Sequence, residues 1–358
     1  MNRMVSAVIV VAVALTVGSF GVAAAQPKGT ADEILRQYNK LPPNEREKAL
    51  IKGAEAEREL VVYGAMQAEE LAQLTKVFNK RYPSLKLNAA RLGGRRVITR
   101  IETEYRAGRF LVDVAGGFAN ISHSLKSAGV IAPYYSPQRK FFPIRDSEKE
   151  GYFAPDYIAP VVLGYNTTML KRSEVPKTYQ ELLSPQWKGK MFLDDEDYDW
   201  FVTLLKHLGK SEGIQYMRKL AAQEVGIRRG RILQTQLIIA GERPIGIALH
   251  AHSLLDLKSK GAPIDFVILD PYLAKPSEIM LLRRAPHPHA AALYLDWILS
   301  EEGQTMQASF GRIVARKGIK LEYPELVERK YFLAGAEEIG PDLAGATKEF
   351  NEIFGVTR

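Results

Sequence analysis

Two histidines, His250 and His252, follow a short apolar run at Ile245–Leu249 that predicts a buried strand. In an α/β fold, residues just past the carboxyl end of a strand line the ligand crevice. On an extended backbone both rings lie on one face, where they could bind a metal ion or hydrogen-bond to an organic ligand. No Asp or Glu stands at a fixed spacing to complete a metal site, so we favour the organic ligand and predict no cofactor.

Three further residues, Gly94, Arg95 and Arg96, could hold an anion at the start of a predicted helix. Glycine lets backbone N–H groups approach an anion, and the arginine fork matches a carboxylate or a phosphate. Arg229, which precedes another predicted helix, could complete the clamp. A solvated turn and a surface position are the alternatives for these arginines, because most arginines are exposed.

Other candidates also follow predicted strands. We predict ligand contacts from Tyr63, Gly64 and Ala65 after the first strand and from Gly117 after the third; ordinary tight turns are the alternative. The segment 194–200 is rich in acidic residues at a predicted helix start, where the helix dipole stabilises carboxylates. We therefore place Tyr198 and Trp200, rather than the carboxylates, at the cleft.

The elements that must position these residues alternate between strands and helices. Apolar runs at residues 60–63, 85–89 and 112–115 predict strands, each followed by a turn and a helix, which favours a parallel sheet with helices on its faces. A long apolar strand at Tyr157–Asn166 could cross between two domains. Residues 30–57 predict a helical leader that Pro42 and Pro43 divide into two helices.

The composition limits the classes of protein. The chain has 358 residues, 46% hydrophobic and 25% charged, which suits two globular domains. Cys is absent, which excludes thiol nucleophiles, Fe–S clusters and Cys-ligated zinc, and is compatible with export. The net charge of +8 comes from scattered residues, so we interpret it as attraction for anions and not as nucleic-acid binding.

The first 25 residues predict a cleaved secretory signal peptide. Arg3 precedes an apolar stretch over residues 5–17, and Ala23-Ala24-Ala25 supplies a small-residue cleavage site. An uncleaved anchor is the alternative, although the apolar stretch is short for a membrane span. We therefore expect a periplasmic protein.

Several segments together resemble the solute-binding proteins of bacterial ABC importers, nearest the subgroup that includes the periplasmic ferric-ion-binding proteins. In chain order they are Leu60-Val-Val-Tyr-Gly-Ala65, Phe78-Asn-Lys-Arg-Tyr-Pro83, Leu163-Gly-Tyr-Asn-Thr167, Leu182-Leu-Ser-Pro-Gln-Trp-Lys-Gly-Lys190, Gly241-Glu-Arg-Pro-Ile-Gly246 and Ala285-Pro-His-Pro-His-Ala-Ala291. The resemblance implies the α/β fold of a type II periplasmic binding protein, closure of two domains on a ligand, and docking onto an inner-membrane permease.

The resemblance also implies a division of the chain. A signal peptide (1–25) and a helical leader (26–57) precede a first domain in two pieces (58–162 and 275–330). A second domain (163–274) is inserted between them, and a helical tail (331–358) is expected to pack on the first domain. We expect a monomer.

The ligand does not follow directly from the resemblance. Ferric-binding members commonly carry a Tyr-Tyr pair that falls here on Ala251 and His252. Phenolate oxygens suit ferric iron, whereas imidazole suits other transition metals. We therefore predict a small oxyanion or organic acid, phosphorylated compounds included. Ferric iron or an iron–anion complex is the alternative ligand, and a secreted enzyme or a ligand sensor for a membrane receptor on the same scaffold are the alternative functions.

Overall fold

The structure is a computed structural model that describes residues 29–142, 149–335 and 343–356. The predicted signal peptide lies outside the described residues. Within these three ranges, none of the helices has the length and apolar character that crossing a bilayer requires.

The leader forms two helices, α1 (Ala31–Leu35) and α2 (Pro43–Glu57), joined by a 3-10 turn. Pro43 is the first residue of α2, a position that suits proline because N–H groups in the first turn of a helix have no acceptor within the helix. α2 packs along α10 (Pro288–Ile298), where it buries Leu50 and Ala54 completely.

The strands form one continuous mixed sheet, and its first part is parallel, as the alternation of strands and helices predicts. The strands of this part lie in the order β2-β1-β3, and the loop after each strand leads into a helix. The elements are β1 (Glu59–Gly64), α3 (Ala68–Arg81), β2 (Lys86–Arg91), α4 (Arg95–Arg106), β3 (Val114–Phe118) and α5 (Ala119–Ser127).

Two long strands connect the halves of the molecule. β5 (Ala154–Asn166) and β10 (Leu273–Leu282) pair antiparallel, and every residue of both is buried. β10 also pairs with β3, whereas β5 continues to β8 (Ile245–His250) and β9 (Ile264–Val267). The predicted crossing strand at 157–166 is therefore present and has β10 as its partner.

The second half is built around β8, β6 and β7, which are parallel neighbours in that order. Its other elements are β6 (Met191–Asp194), α6 (Tyr198–Leu208), α7 (Lys210–Ala221), β7 (Gly226–Arg228), α8 (Arg231–Ile239) and α9 (Ala251–Ser259). Two short strands, β4 (Ile131–Ala132) and β11 (Phe332–Leu333), pair with β10, and α11 (Glu301–Ser309) and α12 (Glu325–Glu328) complete the first half.

The C-terminal helix α13 (Leu343–Phe354) lies against α6 and α7, so the expectation that the tail packs on the first domain is wrong. The reason is aromatic burial. The Phe350 ring is fully buried, with its centroid 5.2 Å from that of Tyr198 and 5.6 Å from that of Phe201. These aromatic side chains lie on α6, in the second half.

Candidate functional site

A cleft of about 1210 Å³ lies between the two halves, at the carboxyl ends of the strands. The loops after β1, β2 and β3 line one wall, and the loops after β6, β7 and β8 line the other. Both crossing strands contribute a side chain, Tyr157 from β5 and Lys275 from β10. This is the crevice that an open α/β sheet places at its strand ends.

The cleft carries an excess of positive charge. Eight cationic side chains and four carboxylates line it. The cations are Arg91, Arg95, Arg96, Arg100, Arg229, Arg231, Lys275 and Arg312, and the carboxylates are Glu104, Asp194, Glu196 and Asp199. Such a lining, between walls of low dielectric constant, attracts anions.

Lys275 and Arg231 form a charged network with the acidic segment at the start of α6. Lys275 Nζ lies 2.8 Å from Asp197 Oδ1 and 2.6 Å from Asp199 Oδ1, and the Lys275 side chain is 1% exposed. Arg231 donates to Asp197 and, through Nε, to the carbonyl oxygen of Ala248 at 3.0 Å. The pKa of Lys275 is lowered to about 8, mainly by burial and also by nearby Arg231, while Asp199 opposes the change. The network holds β10, α6 and α8 together under the cleft.

His250 and His252 are adjacent and both line the cleft. Their ring centroids are 5.6 Å apart and the rings are nearly parallel. His250 packs edge-on against Phe118 at 4.9 Å, and His252 against Tyr157 at 6.0 Å. Burial lowers the pKa of both imidazoles well below their usual range, and the nearby arginines add to the effect, so both rings are neutral.

The histidines also carry nitrogens without partners. His250 Nε2 and His252 Nδ1 are buried, and no described residue hydrogen-bonds to them. A buried polar atom left without a partner costs about 1–3 kcal/mol, so a ligand or water at this position would be stabilised. A neutral imidazole can offer either a donor or an acceptor there.

Glu196 reaches across the mouth of the cleft. The backbone N–H of Arg95 donates to Glu196 Oε2 at 3.4 Å. Gly94, at φ +54°, leaves room for this carboxylate, since a Cβ there would lie 2.4 Å from Glu196 Oε2. A residue of the second half therefore contacts the N-terminus of α4 in the first half, with the cleft between them.

Seven of the twelve predicted site residues line the cleft. They are Ala65, Gly94, Arg95, Arg96, Arg229, His250 and His252. The glycine-arginine turn, the arginine before α8 and the two histidines thus meet around one space. Arg229 is held by Asp195, whose Oδ2 accepts from Arg229 Nε at 3.0 Å.

The other five predicted residues lie outside the lining. Tyr63 is buried, and its hydroxyl donates to Glu104 Oε1 at 3.2 Å. Gly64 and Gly117 are backbone positions of β1 and β3. Trp200 is fully buried, with Nε1 donating to the Tyr179 hydroxyl at 3.2 Å, and Tyr198 packs against the tail helix.

The placement of Tyr198 and Trp200 at the cleft was therefore wrong, for a physical reason. Both lie in the hydrophobic core of the second half. Asp197, which precedes Tyr198, and Asp199, which lies between the two aromatic residues, both accept hydrogen bonds from Lys275. A helix turns by about 100° per residue, so neighbours on α6 face different surroundings. Here the carboxylates face the cations and the aromatic rings face the core.

Sequence reasoning missed several lining residues, among them Tyr157, Arg231, Lys275 and Arg312. One signal was available. Lys275 and Glu278 are the charged positions of β10, and a charge buried in a strand requires a partner. Arg312 carried no comparable signal, because it follows α11 in a loop that is distant in sequence from every other site residue.

The residues present do not form a closed set of metal ligands. Among the described ranges, no group of three or more His, Asp or Glu side chains is placed to hold a metal ion. Tyr157 stands next to His252, and burial raises the pKa of its hydroxyl.

Comparisons with known proteins agree with this architecture. The sequence model of a family described as bacterial extracellular solute-binding protein matches residues 117–331. An uncharacterized protein of Haemophilus influenzae is 27% identical over 269 residues, which cover 71% of this chain and 76% of that protein.

Two solved structures share the fold. AfuA from Actinobacillus pleuropneumoniae, solved with fructose-6-phosphate bound, has a TM-score of 0.73 at 20% identity, over 84% of this chain and 99% of that chain. Iron-bound HitA from Pseudomonas aeruginosa has a TM-score of 0.72 at 19% identity, over 82% of this chain and 99% of that chain. Structures solved with different ligands thus resemble this chain to the same degree.

Proposed function

Because this chain belongs to the bacterial extracellular solute-binding proteins, we propose that it captures an organic oxyanion and delivers it to an ABC importer. Members of the family bind solutes, and the fold is that of type II periplasmic binding proteins. The ligand class follows from the cleft. The inner-membrane permease that receives the ligand, the periplasmic location and the monomeric state are parts of the same proposal.

The observation that carries the proposal is the charge of the cleft lining. Eight cations and four carboxylates line the cleft, and five of the cations have carboxylate partners, namely Arg100, Arg229, Arg231, Lys275 and Arg312. The other three, Arg91, Arg95 and Arg96, form no ion pair among the described residues. The remaining positive charge favours an anionic solute. Arginines predominate among the cations, and their planar forks bind carboxylate and phosphate oxygens in pairs.

The size and the neutral groups favour an organic anion over an inorganic one. A volume of about 1210 Å³ far exceeds what a bare ion fills and leaves room for an organic molecule. The neutral rings of His250, His252, Phe118 and Tyr157 supply hydrogen-bonding and apolar surface beside the cations. Sugar phosphates and organic acids combine these features, and the fructose-6-phosphate of AfuA is a suitable probe.

Closure of the two halves would complete the site. One wall comes from each half, and Glu196 already contacts the N-terminus of α4 across the mouth. A ligand that contacts both walls favours the closed form by the difference in its affinity for the two forms. The permease would then recognise the closed form.

The proposal is tested by mass spectrometry of molecules released from protein purified without unfolding, together with elemental analysis for iron. We expect an organic anion at one equivalent and no iron. Iron accompanied by an anion would support the alternative ligand, which structures such as iron-bound HitA keep open. Turnover of an added compound, rather than its saturable binding, would support the enzyme alternative.

A further inference from the structure

Arg312 lies at the end of the cleft where β5 begins its crossing, and its guanidinium is only partly engaged. Nη2 contacts Glu70 Oε2 at 2.5 Å, whereas Nε and Nη1 are buried with no partner among the described residues. The Arg312 side chain is 1% exposed. Two buried nitrogens of a charged group that lack acceptors are costly unless a ligand or water accepts from them.

The surroundings fix the orientation of this guanidinium. It lies over the Tyr157 ring, with 4.0 Å from the guanidinium carbon to the ring centroid. The next residue, Ile313, is tied to β5 because its carbonyl oxygen accepts from the N–H of Ile158 at 2.6 Å. The contacts with Glu70 and Tyr157 hold the guanidinium in one orientation, which limits the entropy lost on binding.

The neutral histidines line the same cleft as Arg312. His252 packs edge-on against Tyr157, the ring that Arg312 covers, and burial followed by the charge of Arg312 lowers the pKa of His252. His250 is stacked beside His252. Each of the three side chains carries buried nitrogens without a partner among the described residues, namely Arg312 Nε and Nη1, His250 Nε2 and His252 Nδ1.

We infer that Arg312 binds the oxyanion group of the ligand, and that His250 and His252 hydrogen-bond to a hydroxyl or carbonyl group next to that anion. This inference rests on the proposed function and specifies its ligand. Nε–H and Nη1–H point away from different sides of the guanidinium, and each can donate a charged hydrogen bond to an oxygen of a carboxylate or phosphate, which lysine with its single nitrogen does not reproduce. A bare inorganic anion would leave the histidine nitrogens unpartnered, so the site discriminates against it.

Arg316 provides a matched control. It is also a buried arginine stacked on an aromatic ring, 3.9 Å from the Phe141 centroid, and it lies four residues further along the chain. Its Nη1 donates to Gln138 and to the Leu299 carbonyl oxygen, and it does not line the cleft. Arg316→Lys thus imposes the same change of side chain away from the cleft.

The experiment is calorimetric titration of refolded protein with inorganic phosphate, citrate and fructose-6-phosphate. We expect at least one organic anion to bind more tightly than phosphate by a factor of ten or more, and Arg312→Lys to weaken that binding about 100-fold, as loss of charged hydrogen bonds implies. Arg316→Lys should bind as the unsubstituted protein does. His252→Ala should reduce the preference for the organic anion over phosphate.

The outcomes distinguish failure of this inference from failure of the proposed function. If Arg312→Lys binds as tightly as the unsubstituted protein, the inference is overturned while the proposed function stands. If the unsubstituted protein binds none of the three anions, the proposed function fails and the inference fails with it. If Arg312→Lys does not fold, nitrogen-15 NMR of the unsubstituted protein decides: the Arg312 Nε–H resonance should move on titration with the bound anion, and an unmoved resonance overturns the inference.

Discussion

Lys275 Nζ lies 2.6 Å from Asp199 Oδ1, and this buried ion pair joins the crossing strand β10 to the first turn of α6. The lysine is 1% exposed and the aspartate 5%, so neither charge is solvated. Asp197 shares the lysine at 2.8 Å and also accepts from Arg231. Each charge in this network is therefore compensated by the others, and removing one leaves a buried charge with fewer partners.

Asp199→Asn should destabilise the fold by about 3 kcal/mol, because removing one partner of a buried pair leaves the other charge poorly compensated. Urea unfolding measures the effect. The control is Asp256→Asn, which removes a partner from the exposed pair of Lys260 and Asp256 at 2.8 Å. Exposed pairs contribute about 0–1 kcal/mol, so equal losses in the two variants would contradict this account of the network.

Asp156 should make stability depend on pH below neutrality. Burial raises the pKa of its carboxyl from 3.8 to about 7. Between pH 3.8 and pH 7 the folded chain therefore keeps a proton that the unfolded chain has lost. The stability that this protonated carboxyl contributes is complete below pH 3.8 and is lost as the pH rises through 7. Asp156→Asn should flatten this slope and raise stability at pH 8 by a few kcal/mol, since each pKa unit is worth about 1.4 kcal/mol. An unchanged slope in urea unfolding from pH 4 to 8 would refute the assignment.

Gly94→Ala should weaken binding of fructose-6-phosphate several-fold. Its Cβ would lie 2.4 Å from Glu196 Oε2 and would push this carboxylate away from the N–H of Arg95, which destabilises the closed form. Calorimetry gives the affinity, and small-angle X-ray scattering gives the degree of closure.

Two glycines control for this substitution. Gly93→Ala meets no atom within 4 Å and should leave affinity unchanged. Gly108→Ala imposes a similar backbone strain at φ +65°, also in open space, and should cost about 1 kcal/mol of stability without affecting affinity. In a Glu196→Ala background, Gly94→Ala should have no further effect on affinity; a full additional loss would show that the contact with Glu196 is not the cause.

Arg229→Gln should slow association of the anion several-fold at low salt, and the difference should shrink in 0.5 M salt, where the Debye length falls to about 4 Å. The Arg229 side chain is 71% exposed at the cleft. Arg172, 68% exposed and paired with Asp265 outside the cleft, is the matched control. Stopped-flow fluorescence measures the rates, and an equal slowing by Arg172→Gln would point to net charge alone.

Local pattern was sufficient for the sheet and for much of the cleft. Apolar runs followed by glycine turns located β1 and β3, and the rule that ligands bind at strand ends selected Arg95, Arg229 and the two histidines, which line the cleft. These features depend on residues close together in the sequence. The strand β5 likewise followed from the long apolar run at Tyr157–Asn166.

What the sequence could not supply depends on contacts between distant segments. Phe350 packs on α6, which lies some 150 residues earlier in the sequence. No local signal indicates that the tail helix packs on α6 and not on the first domain. The register of α6 decided that Trp200 enters the core while Asp199 meets Lys275. Arg312 reaches the cleft only because Ile313 pairs with Ile158.

The central claim is that the cleft binds an organic oxyanion without a metal. Its most direct test is calorimetric titration of refolded, metal-free protein with fructose-6-phosphate, citrate and ferric iron in separate experiments. We predict saturable binding of an organic anion at one equivalent, unaffected by a chelator. Tight binding of ferric iron in the absence of any anion, with no binding of the organic anions alone, would contradict the claim.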